Sequence, residues 1–368
     1  MNDSWHYPHH FITVCLLDGC NKTCKHCYRT AIPTDAGFRL DATAARSSVA
    51  DASSLGTACI FAGGEPTIWS ADSTNLLDLL IAAGNEHGRI AFISNGHVYE
   101  DKAYTEMFFS RYVEDCSTHL HMKFSVDVIH ENYNSRSKSI PFLDNILAWR
   151  ERSSLADSIS VGLISHWTTD PTMNIPLSIL DEYQRRGISY EVNDFMTWGR
   201  GEALAAKACS LGIASSDKST LGPYREILAN RLIGSGVFSG EREFENMPNR
   251  ELLRRLSVCG RPPNFYISWG MHYYYCIPQM GLRWFALSAI GELTNPAIES
   301  FMAQRPILAE IQRKSIFGVI DEHSSYVDRA TLTEIESLQE SVRFAGCSVC
   351  MRLFQAGILQ RINQGIVD

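Results

Sequence analysis

The 368-residue sequence contains no apolar run that approaches the roughly 18 to 20 residues needed to cross a bilayer. Residues 1–10 are polar and histidine-rich, without the cationic start or apolar middle of a secretion signal. Lysine and arginine do not cluster, and their 33 are outnumbered by 41 acidic residues for a net charge of −8, which disfavours a face for duplex nucleic acid. Low-complexity stretches are absent. With 45% hydrophobic and 20% charged residues, the composition excludes collagen, a long coiled coil and wholesale disorder. These absences predict a cytoplasmic globular chain that engages neither membrane nor nucleic acid. At about 150 residues per domain it holds two or three domains, or one barrel-like domain with an appendage.

Against that background stand 11 cysteines. In a reducing cytoplasm disulfides rarely persist, so the thiols need another explanation. Seven of them fall into two groups of meaningful spacing, Cys20, Cys24 and Cys27, then Cys259, Cys276, Cys347 and Cys350. Metal or cofactor ligation is the leading reading of such spacings. Cys15 and Cys59 lie inside strand-like runs and read as small buried hydrophobes, while Cys116 and Cys209 fall in neither group.

Short apolar runs rich in β-branched and aromatic residues occur at 11–17, 58–62, 90–93, 122–126, 159–164 and 190–195. Helical patterns lie between them, for instance at 75–83 and 175–186. From the second run onward the spacing is that of a β-α unit, and no other internal repeat is present. Six such units predict an α/β fold, a parallel sheet with right-handed crossovers curled into a partial (β/α)6, TIM-like barrel over 11–200. A polar arm (1–10) precedes it, a helical linker (201–244) follows, and 245–368 forms a cysteine-rich domain. Within that domain 264–275 reads as an aromatic strand or hairpin and 298–344 as two amphipathic helices. Functional groups in such sheets sit on loops at the strands' C-terminal ends. Four of those ends are polar, glycine-rich or cysteine-rich: the Cys20 loop, Gly63 to Pro66, Ser94 with Asn95, and Ser125 with Asp127.

Cys20, Cys24 and Cys27 form C-x3-C-x2-C. Three thiolates on one loop can hold three corners of a cubane iron–sulfur cluster. A structural zinc wants four closed ligands, and His26, the nearest fourth, would have to fold back between two of them. This motif at the end of a first strand, followed by Tyr28, with Gly63-Gly64-Glu65-Pro66 after the second, resembles the radical S-adenosylmethionine (SAM) superfamily over residues 11 to about 200. The resemblance implies a [4Fe-4S] cluster on Cys20, Cys24 and Cys27 with its fourth iron open to SAM. Reductive cleavage there yields a 5′-deoxyadenosyl radical that abstracts a substrate hydrogen atom. It further implies that Gly63, Gly64, Glu65 and Pro66 receive the methionine ammonium, and that Ser125 and Asp127 contact ribose or carboxylate. Ser94, Asn95 and Asn193 are further SAM-binding candidates, with strand-end capping as the competing role. Arg200, in a Gly-Arg-Gly element, pairs with a carboxylate of SAM or substrate or is a solvated surface residue.

Cys259, Cys276 and the C-x2-C of Cys347 and Cys350 supply four sulfurs, enough to saturate a second cluster or a zinc ion. The pattern resembles the Twitch domain, the short relative of the SPASM domain, and implies one auxiliary [4Fe-4S] cluster for electron transfer or as a structural staple. The whole predicts a radical SAM oxidoreductase or maturase that oxidises or crosslinks a peptide or a natural product, supplied with electrons by a flavodoxin or ferredoxin. With about ten residues ahead of the first strand, no separate N-terminal peptide-recognition domain is expected. The alternatives are a dehydrogenase or epimerase of an amino sugar and, in another class, an iron–sulfur electron carrier or zinc-stabilised binding module. A redox-neutral epimerase would need a hydrogen-atom donor, for which Cys209 and then Cys116 are the candidates.

Overall fold

In the computed structural model, the described residues are 11–24, 27, 31, 37–128, 130, 132–167, 175–194, 265–268, 271–274, 283–333, 335 and 346–367. The chain divides into two compact units, Met1–Phe195 with Pro263–Ala297, and Met196–Pro262 with Ile298–Asp368.

The first unit is built on six parallel strands in chain order: β1 (Phe11–Cys15), β2 (Ala58–Ala62), β3 (Ile90–Ser94), β4 (Leu120–Ser125), β5 (Ile159–Trp167) and β6 (Ser189–Asp194). Five helices cross between them: α1 (Ala42–Ser54), α2 (Leu76–His87), α3 (Lys102–Asp115), α4 (Pro141–Arg152) and α5 (Leu177–Arg185). This consecutive order is the (β/α)6 arrangement expected, and the six strands fall where the apolar runs placed them.

The strands differ in how they are covered, and their sequences say why. β2 is apolar throughout and buried at every position, the mark of a strand enclosed on both faces. β4 alternates instead: Leu120, Met122 and Phe124 are buried, while His121, Lys123 and Ser125 are half-buried on the other face. Behind the sheet the aromatic rings of Phe92, Tyr99, Phe108, Phe109, Phe124 and Phe142 interlock edge-to-face, tilted or stacked, with centroids 4.9 to 6.4 Å apart. Each such pair adds about 1 kcal/mol beyond its buried area, which makes a rigid base for the strand ends above it.

The segment grouped by sequence with the C-terminal domain extends this same sheet. β7 (Phe265–Ser268) pairs parallel with β1, and β8 (His272–Tyr274) and β9 (Ala286–Ala289) continue antiparallel. Buried Tyr273 donates to the Asp51 carboxylate of α1 at 2.5 Å, which also accepts from the Gly291 N–H at 2.7 Å. The expected hairpin is thus present, anchored to the first unit.

The described part of the second unit is helical. α6 (Asn295–Ala303) leads from the first unit into α7 (Pro306–Glu322), α8 (Gly346–Gln355) and α9 (Ile358–Val367). Ser315 takes a left-handed φ of 64° and breaks α7 in two. Ile307, Leu308, Ile311, Leu353, Ile358, Leu359 and Ile362 form its apolar interior.

Candidate active site

The cysteine loop is bolted to its neighbour through backbone. Past β1 the Leu16 N–H donates to Ala62 O at 2.8 Å, Gly64 N–H to Leu17 O at 2.7 Å, and Glu65 N–H to Gly19 O at 2.9 Å. So close an approach excludes side chains. A Cβ on Gly64 would lie 1.9 Å from the Gly19 carbonyl oxygen, and Gly63 adopts φ 143° with its would-be Cβ 2.5 Å from Leu17 O. Only glycine fits both positions.

Glu65 then turns inward and is 1% exposed. Its Oε1 accepts from Thr67 N–H (3.1 Å), Thr67 Oγ1 (2.7 Å) and Ser94 Oγ (2.8 Å), and its Oε2 from Asn95 N–H (2.7 Å). Burial pushes its carboxyl up from the ordinary range, and these donors pull it back only in part. The carboxylate therefore clasps the end of β2 to the end of β3. Pro66 opens the short 3-10 turn Pro66–Ile68 behind it.

From that clasp the polar contacts run to the thiols. Asn95 Nδ2 approaches Cys20 Sγ at 3.8 Å and donates to Asn21 Oδ1 at 2.7 Å, while Asn95 Oδ1 caps the His97 N–H at 3.0 Å. The Lys22 N–H also points at Cys20 Sγ, at 3.4 Å. Cys20 is buried, and Cys24 and Cys27 are half-buried, with Cys27 N–H donating to Cys24 O at 3.2 Å. Burial pushes the Cys20 thiol up to about 12. The Lys22 N–H opposes that rise, while Glu65, Cys24 and Cys27 add to it.

The loop after β4 reaches the same place. Asn132 Nδ2 donates to Asn95 O (3.0 Å) and Ser125 O (2.7 Å), and Asn132 Oδ1 accepts from Asp127 N–H (3.3 Å). Asp127 has no exposure. Its Oδ1 accepts from the His130 N–H and its Oδ2 meets His130 Nδ1, both at 2.7 Å. The same imidazole hydrogen-bonds the Cys24 side chain. Burial works against charge on His130, but the Asp127 carboxylate outweighs it and holds the ring up at about 10, with Cys24 contributing. One polar network thus passes from Cys20 through Asn95, Asn132, Asp127 and His130 to Cys24, drawing on the ends of β1, β2, β3 and β4.

The donor set fits a soft, cationic iron cluster. Three sulfurs share one loop, Cys20 faces both the Lys22 N–H and the Asn95 amide, and a buried thiol reluctant to ionise alone is what a metal's positive charge would compensate.

Of the residues singled out from sequence, Cys20, Cys24, Cys27, Gly63, Gly64, Glu65, Ser94, Asn95 and Asp127 come together here. Ser125 is half-buried at the end of β4 beside them. Asn193 lies in β6, in register with His166. Cys347 and Cys350 are one turn apart in α8, with Cys350 half-buried. Arg200, Cys209, Cys259 and Cys276 lie outside the described residues. Cys116 sits ahead of β4, at the opposite end of that strand, where its thiol reaches Tyr112 Oη at 3.4 Å. His130 and Asn132 escaped the sequence reading, which stopped at the strand end. The available signal was a histidine three residues beyond the aspartate within one β-α loop.

The fold is similar to three solved structures: native anSMEcpe with bound AdoMet (TM-score 0.49, 13% identity, 97% of this chain and 100% of that one), His6-tagged anSMEcpe with bound AdoMet (0.46, 15%, 80% and 82%), and BtrN in complex with AdoMet and 2-DOIA (0.33, 10%, 82% and 87%). No family model and no curated protein matches the chain. Likeness at this level concerns gross fold, and the reading of the site rests on its own residues.

Proposed function

We propose that this chain is a radical SAM enzyme. The observation that carries the reading is the three-cysteine loop closed onto a glycine-only backbone approach, with two of its thiols held by side chains from neighbouring strand ends. Cys20, Cys24 and Cys27 would hold a [4Fe-4S] cluster, which would supply the low-potential electron for reductive cleavage of SAM to a 5′-deoxyadenosyl radical.

The chain's own residues do the positioning. Gly63, Gly64 and Pro66 shape a backbone ledge for the methionine ammonium, and Glu65 fixes that ledge from beneath with its carboxylate engaged by four donors. Ser94, Asn95, Ser125, Asp127 and Asn193 are assigned to the polar rim around the nucleoside and carboxylate. Arg200 is assigned to a carboxylate of SAM or substrate, and Cys209 to hydrogen-atom donation where the outcome is epimerisation. Cys259, Cys276, Cys347 and Cys350 are assigned to one auxiliary [4Fe-4S] cluster, which would serve electron transfer to or from the site or staple its domain. A flavodoxin or ferredoxin is the donor class for the first cluster. The substrate is read as a peptide or natural product that is oxidised or crosslinked, in a cytoplasmic setting.

The test is anaerobic reconstitution with iron and sulfide, then SAM and dithionite. Wild-type protein should release 5′-deoxyadenosine, and Cys24→Ala should not. Iron binding without SAM cleavage would return the chain to the electron-carrier class. Candidate substrates divide by mass: loss of two hydrogens marks dehydrogenation or crosslinking, and no change marks epimerisation of an amino sugar.

A further inference from the structure

β4 turns two unlike faces. Phe124 points into the aromatic base against Phe92, Tyr99 and Phe142, so the alternation of the strand sets His121, Lys123 and Ser125 on the opposite, inner face of the barrel. Across that face Ile93, Lys123, Gly162 and Ser189 stand in register on β3, β4, β5 and β6. A closed barrel fills such a row with bulky branched side chains. Here Gly162 contributes none, Ile93 and Lys123 are only half-buried, and Ser189 is exposed. A Cβ on Gly162 would lie 3.1 Å from Ser189 Oγ and 3.7 Å from Lys123 Cγ. Hydroxyl and lysine stem thus flank the glycine, and the missing side chain leaves a trough between them.

The neighbouring rows define the setting of that trough. One row toward the C-terminal strand ends, about 7 Å away, stands Ser125, assigned above to the SAM rim. One row the other way, His121 hydrogen-bonds Ser160 Oγ, and burial pushes its ring down to about 3, so it stays neutral. Among the described side chains of β1 to β5 on this face, Lys123 is then the one lysine, arginine, aspartate or glutamate. An ammonium drawn out of bulk water needs acceptors or a counter-charge, and with three donors it can serve a ligand beside any partner within the protein.

We propose that Lys123 is a substrate-specificity residue, its ammonium binding an anionic group, carboxylate or phosphate, of a molecule that lies along the Gly162 trough beneath the SAM-binding strand ends. This rests on the radical SAM reading above and narrows its substrate to a peptide or natural product that carries such a group.

The experiment treats full-length protein, reconstituted with iron and sulfide, with the N-hydroxysuccinimide ester of acetic acid, which forms an amide on each reactive lysine nitrogen and releases N-hydroxysuccinimide. Peptide mass spectrometry follows Lys123, with the exposed Lys138 as reference. Succinate and phosphate are the anionic probes, and succinamide is the neutral match. Both anions should slow Lys123 saturably, about tenfold at roughly ten times the half-protecting concentration, and leave Lys138 unchanged. Succinate acting at the lower concentration assigns a carboxylate and phosphate acting first assigns a phosphate ester; either supports the proposal. Gly162→Val, which refills the row, should abolish the protection with Lys123 still in place, and the wild-type result decides alone where that variant does not fold. A Lys123 that neither anion protects, that succinamide protects as well as succinate does, or that fails to react while Lys138 does, overturns the proposal. Release of 5′-deoxyadenosine from SAM and dithionite is measured on the same preparation. Protected Lys123 without that release removes the radical SAM reading and keeps the anion site, whereas release with unprotected Lys123 does the reverse.

Discussion

Two carboxylates are buried at strand ends of one sheet, with β3 between them, and they are neutralised in opposite ways. Glu65, after β2, meets only neutral donors: two backbone N–H groups and two hydroxyls. Asp127, after β4, meets a histidine with which it forms a close ion pair. A carboxylate solvated by dipoles is a clasp; its partners are fixed parts of the chain, and its charge goes no further. A carboxylate paired with an imidazole also fixes the orientation of that ring. Glu65 is therefore held by fixed dipoles of the chain, and Asp127 by a side chain whose ring it orients in return.

The comparison breaks first at the glycines that make the Glu65 clasp possible. Gly64→Ala would place a methyl 1.9 Å from one backbone carbonyl oxygen and 2.6 Å from its carbon, and neither strand end can yield without losing the contacts on both sides. The expected cost is about 4 kcal/mol, among the largest single-residue effects. Denaturant unfolding of the iron-free protein measures it, and a stable Gly64→Ala protein that still loads iron would show that the close approach is not essential.

Next comes Asp127→Asn, which strips the negative partner from a largely enclosed histidine. Breaking a buried pair from one side costs about 3 kcal/mol. Its signature is coupling. In a double-mutant cycle with His130→Ala, the second substitution should cost far less than it does alone, because the partner is already missing. Glu65→Gln is the smaller single change, about 2 kcal/mol, because the new amide turns an N–H toward groups that are themselves donors. It should couple to His130→Ala far more weakly, because Asn95, Asn132 and Asp127 stand between the two. Equal coupling in the two cycles would erase the distinction drawn between clasp and pair.

How much of this was legible in the sequence follows from how local each feature is. The six strands could be placed because period and β-branching act within a few residues, as in the uninterrupted apolar run of β2 against the alternation of β4. Gly63 and Gly64 were legible as a turn but not as a contact, since the atoms they must avoid belong to Leu17 and Gly19, more than forty residues earlier. Glu65, Ser94 and Asn95 were found as separate strand-end residues. That they form one clasp depends on the parallel register of β2 with β3, a pairing no local pattern encodes. His130 was missed because its pairing exists only once the loop after β4 turns it back onto the buried Asp127.

The contrast extends to two histidines, and gives the smallest expected effect. His121 stands within β4 and His130 just beyond it; burial works against charge on both. His130 has Asp127 and is held up at about 10, whereas His121 has another histidine, His119, for a neighbour and is pushed down to about 3 by burial first and His119 second. The neutral His121 ring instead shares a hydrogen with Ser160 Oγ. A depressed histidine binds fewer protons in the native state than in the unfolded chain. Its contribution is thus complete above the ordinary value of 6.5 and is lost as pH falls from there toward about 3. His121→Gln should remove that loss. The melting temperature of the variant relative to wild type should rise steadily between pH 7 and pH 4, while the carboxylates common to both proteins cancel in the difference. A gap that stays constant across that range would mean that His121 takes up a proton in the folded protein as easily as in the unfolded one.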